Sequence, residues 1–122
     1  MEWSVEQLSS SLARTIARFE EEEMGVRPSR VTVMVEDDVV IVHLREVLSL
    51  SERALARTEA GQAMLQRFNT LLFNSGSSPS VMEQVAQVLR REVVEVQTSL
   101  SSLSGSLVVV FALGETVELG QV

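Results

Sequence analysis

Val31-Thr-Val-Met-Val-Glu-Asp-Asp-Val-Val-Ile-Val-His-Leu44 is the stretch that decides the fold. Two β-branched runs flank an acidic break, Glu36-Asp37-Asp38. Valine, isoleucine and threonine suit a pleated, buried surface, whereas aspartate suits turns because its carboxylate bonds nearby backbone. The pattern predicts a β-hairpin. Alternation puts Val31, Val33 and Val35 on one face of the first strand, and Val40, Val42 and Leu44 together on a face of the second. Val39 and Ile41 are apolar as well, so the second strand carries apolar residues on both sides. One face is expected to pack on helices. The other needs a second cover, from the remaining helices or from another subunit, which points to a homodimer.

Upstream, Val5, Leu8, Leu12, Ile16 and Phe19 recur at helical steps, with Ser4 placed to cap the start and Gly25 the end. Downstream, Ser49 and Glu52 have capping-box spacing. Leu55, Met64, Leu65, Phe68, Leu71 and Leu72 continue a helical stripe, either one long helix or two divided near Gly61. A third helix is expected with Ser78 as N-cap, Pro79 in its first turn, and a buried stripe of Val81, Val85, Val88 and Leu89 reaching about Glu92. Val93 to Leu100, with Val94, Val96 and Thr98 on one face, and Leu107 to Leu113, apolar on both faces, read as the last two strands. The order α-β-β-α-α-β-β predicts a single α+β domain over residues 1–122: a four-stranded antiparallel sheet with helices packed on it and a peripheral tail at 114–122.

Composition narrows the chemistry. The net charge of −7 opposes a nucleic-acid role, because phosphates demand a basic surface. No apolar run reaches the ~18 residues of a membrane span, and the N-terminus lacks a basic-then-apolar leader pattern, so a cytoplasmic protein without direct membrane insertion is expected. There is no cysteine, which removes thiolate catalysis and zinc–thiolate sites. All ten basic residues are arginine, so a Schiff-base lysine and a P-loop lysine are excluded.

Few residues remain as candidates. His43, the one histidine, sits mid-strand and reads as a sheet-face residue. Glu36, Asp37 and Asp38 are contiguous in a turn, where successive side chains diverge rather than converge on a cation. Glu36 or Asp38 would have to serve an enzyme, yet neither pairs with a base or metal. The serine-rich loops lack a nucleophile motif. Arg14 and Arg18 lie one turn apart on the first helix, and Arg53 and Arg57 one turn apart near the start of the second; these four could receive an anion or a partner's carboxylate. Glu20, Glu21, Glu22 and Glu23 form an acidic run near a helix C-terminus, where they oppose the helix dipole. They read as a solvated helix end and, functionally, as a docking surface for a basic partner.

Several of these stretches line up with one family. Gly25-Val26-Arg27-Pro28 precedes the first strand, Asp37-Asp38-Val39-Val40-Ile41-Val42 resembles an Asp-Asp-x-Val-Val-Val signature, and Leu48 to Leu55 resembles a Leu-Thr-x-x-Glu-x-x-Leu helix start followed by Gly61. Leu107 to Leu113 resembles the closing strand. Together, over about residues 8 to 113, the chain resembles the MpsC family of small bacterial proteins. It departs at Val88-Leu89-Arg90-Arg91, where a Leu-Thr-Gly is missing, and at Ser101-Ser102-Leu103-Ser104, where the family carries acids. The resemblance implies a setting: a membrane-potential-generating system whose membrane subunits resemble NADH-dehydrogenase components and are linked with sodium and inorganic-carbon uptake. It implies no cofactor and no catalytic residues. The expected role is a non-enzymatic accessory or regulatory protein, peripheral to the membrane through an integral-membrane transporter subunit; the alternative is a dimeric sensor of a small anion or ligand.

Overall fold

The hairpin forms as its pattern demands. In a computed structural model, which describes residues 4–75 and 80–117, β1 (Arg30–Glu36) and β2 (Val39–Arg45) pair antiparallel. The strands turn on Asp37-Asp38 alone, with Asp37 at φ 51°, a left-handed conformation that aspartate tolerates. Val31 faces Leu44, Val33 faces Val42 and Val35 faces Val40. The second hairpin, β3 (Val93–Ser101) and β4 (Ser106–Leu113), joins through β4 beside β2, giving the strand order β1-β2-β4-β3. The architecture is therefore α+β, as expected.

Helices α1 (Val5–Met24), α3 (Glu59–Ser75) and α4 (Val81–Leu89) bury their apolar stripes against one face of this sheet. The core joins Leu8, Leu12, Ile16 and Phe19 to Val40, Val42, Leu44, Leu107, Val109 and Phe111. Phe19 meets Phe73 of α3 edge-to-face, ring centroids 5.2 Å apart, a favoured aromatic geometry. Reciprocal capping boxes, Ser4 with Gln7 and Ser49 with Glu52, start α1 and α2 (Leu50–Leu55), and Gly25 closes α1 in a left-handed conformation.

The break near Gly61 resolves into two helices for a steric reason. A Cβ on Gly61 would lie 1.8 Å from the Leu55 carbonyl oxygen, so only glycine lets α3 approach the end of α2. The face of α3 that is buried differs from the expected stripe. Leu65, Asn69 and Phe73 point inward, while Met64, Phe68 and Leu71 are about half exposed. Asn69 is accommodated because its Nδ2 donates to the Leu65 carbonyl at 2.9 Å.

Three further expectations shift. Helix α4 starts at Val81 on an N-cap from Ser80, whose hydroxyl accepts from the Glu83 N–H, and it stops at Arg90 in the left-handed region, short of Glu92. Ser78 and Pro79, expected to begin it, lie outside the described residues. An irregularity between Val93 and Glu95 turns Val94 out to solvent, off the face it was expected to share with Val96 and Thr98. The tail is anchored as far as Val117: its N–H donates to the Asp37 carbonyl at 2.9 Å and its side chain joins the core, while 118–122 lie outside the described residues.

One side chain caps part of the edge strand β3. Gln66 of α3 donates from Nε2 to the Thr98 carbonyl at 2.9 Å and accepts the Leu100 N–H at 2.7 Å through Oε1. One amide thus satisfies an outward-facing donor and acceptor that could otherwise template another strand.

Candidate functional site

The acidic run at the end of α1 is split by helical geometry. Glu20 falls four residues after Ile16, on the stripe that contains Leu8 and Leu12, and is only 1% exposed. Its Oε1 has no hydrogen-bond partner. Burial, reinforced by the nearby Glu52 carboxylate, pushes the Glu20 carboxyl up to about 7. Glu20 therefore cannot belong to an acidic docking surface, nor is it a solvated helix end. Glu21, Glu22 and Glu23 remain exposed. Glu21 reaches Arg27 at 4.0 Å in a solvent-exposed pair, an arrangement that contributes little to stability.

The four candidate arginines are all exposed and sit on two separate segments, Arg14 and Arg18 on α1, Arg53 on α2 and Arg57 just beyond it. A shallow recess of about 480 Å³ is lined, among the described residues, by Glu6, Gln7, Ser10, Ser11 and Arg14. It gathers only one of the four. Arg53 instead lies near the β3–β4 turn, its Nη2 3.8 Å from the position a Cβ on Gly105 would occupy. A smaller recess of about 200 Å³ lies between Arg90, Arg91 and Glu92 on one side and Gly114 and Glu115 on the other, and Arg91 pairs with Glu115 there at 3.7 Å.

In the hairpin turn, Asp37 and Asp38 offer their backbone carbonyls to the N–H groups of Val117 and Leu113. Among the described residues no three of His, Cys, Asp or Glu are grouped to hold a metal. His43 is half-buried on β2, opposite Thr32 and Val108.

Sequence reasoning missed one distinctive surface and anticipated another. The first is the ridge of Met64, Phe68 and Leu71 along α3, which its spacing of four and three residues already encoded but which was assigned inward. The second is the sheet face away from the helices, where Val39, Ile41, Val108, Val110 and Ala112 sit side by side on the two central strands. Contiguous apolar surface of this kind marks contact with other proteins.

A family model described as "Na+-translocating membrane potential-generating system (MpsC)" matches residues 4–115, the whole fold from the α1 cap to beyond β4. The chain belongs to the MpsC family. A relative is "Uncharacterized protein YbcI" of Bacillus subtilis (strain 168), 24% identical over 111 residues, covering 91% of this chain and 89% of that one. No solved structure matches. Among the described residues of this MpsC protein, no helix is long and apolar enough to cross a membrane. The family therefore links the chain by name to a sodium-translocating membrane system, although no described helix could serve as one of its membrane spans.

Proposed function

We propose that this MpsC protein is a non-enzymatic accessory or regulatory protein of a sodium-linked membrane-potential-generating system, acting by contact with an integral-membrane subunit on the cytoplasmic side. The observation that carries this reading is electrostatic. The chain has a net charge of −7 and presents Glu21, Glu22 and Glu23 together on an exposed helix end. Cytoplasmic loops of polytopic membrane proteins carry an excess of lysine and arginine. An acidic protein is drawn to such loops and repelled by anionic lipid, which favours docking through a protein rather than through the bilayer. The family's link to a sodium-translocating system supplies the setting.

Affinity capture of the tagged chain from gently detergent-solubilised native cells tests this reading. A polytopic subunit of the sodium system is expected in the eluate and is expected to disappear when Glu21, Glu22 and Glu23 are all changed to arginine. Recovery unaffected by that reversal, or recovery of no membrane subunit at all, would sink the proposal.

A further inference from the structure

The antiparallel registers place sixteen side chains of the outer sheet face on a four-by-four grid. Along the strands, β1 contributes Arg30, Thr32, Met34 and Glu36, and β2 contributes Arg45, His43, Ile41 and Val39. Beside them β4 contributes Ser106, Val108, Val110 and Ala112, and β3 contributes Ser101, Ser99, Gln97 and Glu95. None of these residues belongs to the core on the helical side. An antiparallel sheet with one solvated face normally alternates apolar with polar along each strand. Here the outer positions of the two central strands break that rule at Val39, Ile41, Val108, Val110 and Ala112, and Met34 beside them is 56% exposed.

The charges on this face are polarised. Arg30 and Arg45 stand at one end of the grid, Glu36 and Glu95 at the other. We infer that this face is the interface of a homodimer, two copies stacking sheet on sheet about a twofold axis that runs across the strands. Such an axis reverses strand direction. Each copy's Arg30 then lies over its partner's Glu36, His43 over Ile41, and Val108 over Val110. A twofold interface must be self-complementary, and a face with opposite charges at its two ends meets that condition in this orientation. An axis along the strands would instead lay β1 over β3 without reversing it, setting Glu36 over Glu95 and leaving Arg30 over Ser101. Four strands about 4.8 Å apart, each running about seven residues at about 3.4 Å per residue, outline about 450 Å² per copy, so two faces approach the roughly 1,000 Å² of a specific interface once side-chain relief is added. At the β3 edge the Gln66 amide already occupies the Thr98 carbonyl and the Leu100 N–H, which disfavours strand addition there.

Sedimentation equilibrium of the purified full chain is the test. The expected species is a dimer of about 27 kDa, twice 13.5 kDa. The variant Ile41→Thr with Val110→Thr keeps β-branched residues in place and is expected to weaken dimerisation by at least about tenfold. Arg30→Glu alone and Glu36→Arg alone are expected to weaken it as well, and the two together to restore it. These residues are six apart on one strand, about 20 Å, so coupling between them in the dimer constant arises only across copies. Circular dichroism and thermal melting confirm that each variant folds. A wild-type monomer at all concentrations overturns the proposal. So does a dimer indifferent to all four variants, which would lie elsewhere, or a face that cross-links to a membrane subunit rather than to a second copy.

Discussion

Glu20 sits at the end of the buried α1 stripe, 1% exposed, with no hydrogen-bond partner for its Oε1. Four consecutive glutamates read as a solvated run because charges usually face water. Yet the stripe Leu8, Leu12, Ile16 continues by the same step of four to position 20, and that spacing was the signal that could have placed Glu20 inside. Its consequence is a pH dependence of known sign. In the folded chain the carboxyl is raised from 4.5 to about 7. The neutral form is therefore the one the fold favours. The contribution of Glu20 to stability is fully present below the unfolded value and is lost as pH rises through about 7, by on the order of 3 kcal/mol at most. Glu20→Gln keeps the shape without the charge. It is expected to melt near the wild-type temperature at about pH 5 and several degrees above it at about pH 8, where the parent buries an unpaired carboxylate. Parallel melting curves for the two chains across that range would contradict a raised Glu20.

At the scale of elements, the hairpin, the Ser4 cap and the Ser49–Glu52 capping box were legible because each is specified locally. The Val/Ile runs, the Asp37-Asp38 turn, Ser4 with Gln7 and Ser49 with Glu52 carry their structure within a few residues. What was not legible depends on the neighbours of an element. Helix α3 is apolar on two faces, and only the position of the sheet and α1 selects Leu65, Asn69 and Phe73 over Met64, Phe68 and Leu71 for burial. The irregularity at Val94 depends on the register with β4, which no single strand encodes. Gly61 could be read as a break but not as a contact. Because its missing Cβ makes room for the Leu55 carbonyl, Gly61→Ala is expected to cost about 2 kcal/mol or more, despite alanine's better helix propensity. Urea unfolding measures this directly, and limited proteolysis is expected to cut first around 55–60, where α2 separates from α3. An unchanged midpoint would show that the α2–α3 approach is not tight.

For the molecule as a whole, the strand order follows from two hairpins joined through β2 and β4, the two strands that are apolar on both faces. That pairing puts the most apolar strands in the middle and leaves an apolar band on the side away from the helices. Arg14 and Arg18, like Arg53 and Arg57, are adjacent in sequence, and such adjacency says nothing about convergence in space: of the four, Arg14 alone lines the recess on α1. The surfaces that remain are an acidic helix end, an apolar ridge on α3 and the outer sheet face, all suited to contact with protein. In a chain of the MpsC family these features support a role played through partners.

The most direct measurement is the sodium-dependent component of the membrane potential in cells lacking the chain, followed with a potential-sensitive dye. Loss of that component is expected, with recovery on return of the wild-type or Glu20→Gln chain and none with Glu21, Glu22 and Glu23 reversed to arginine. A sodium-dependent potential that persists unchanged without the chain would contradict an accessory role in the system.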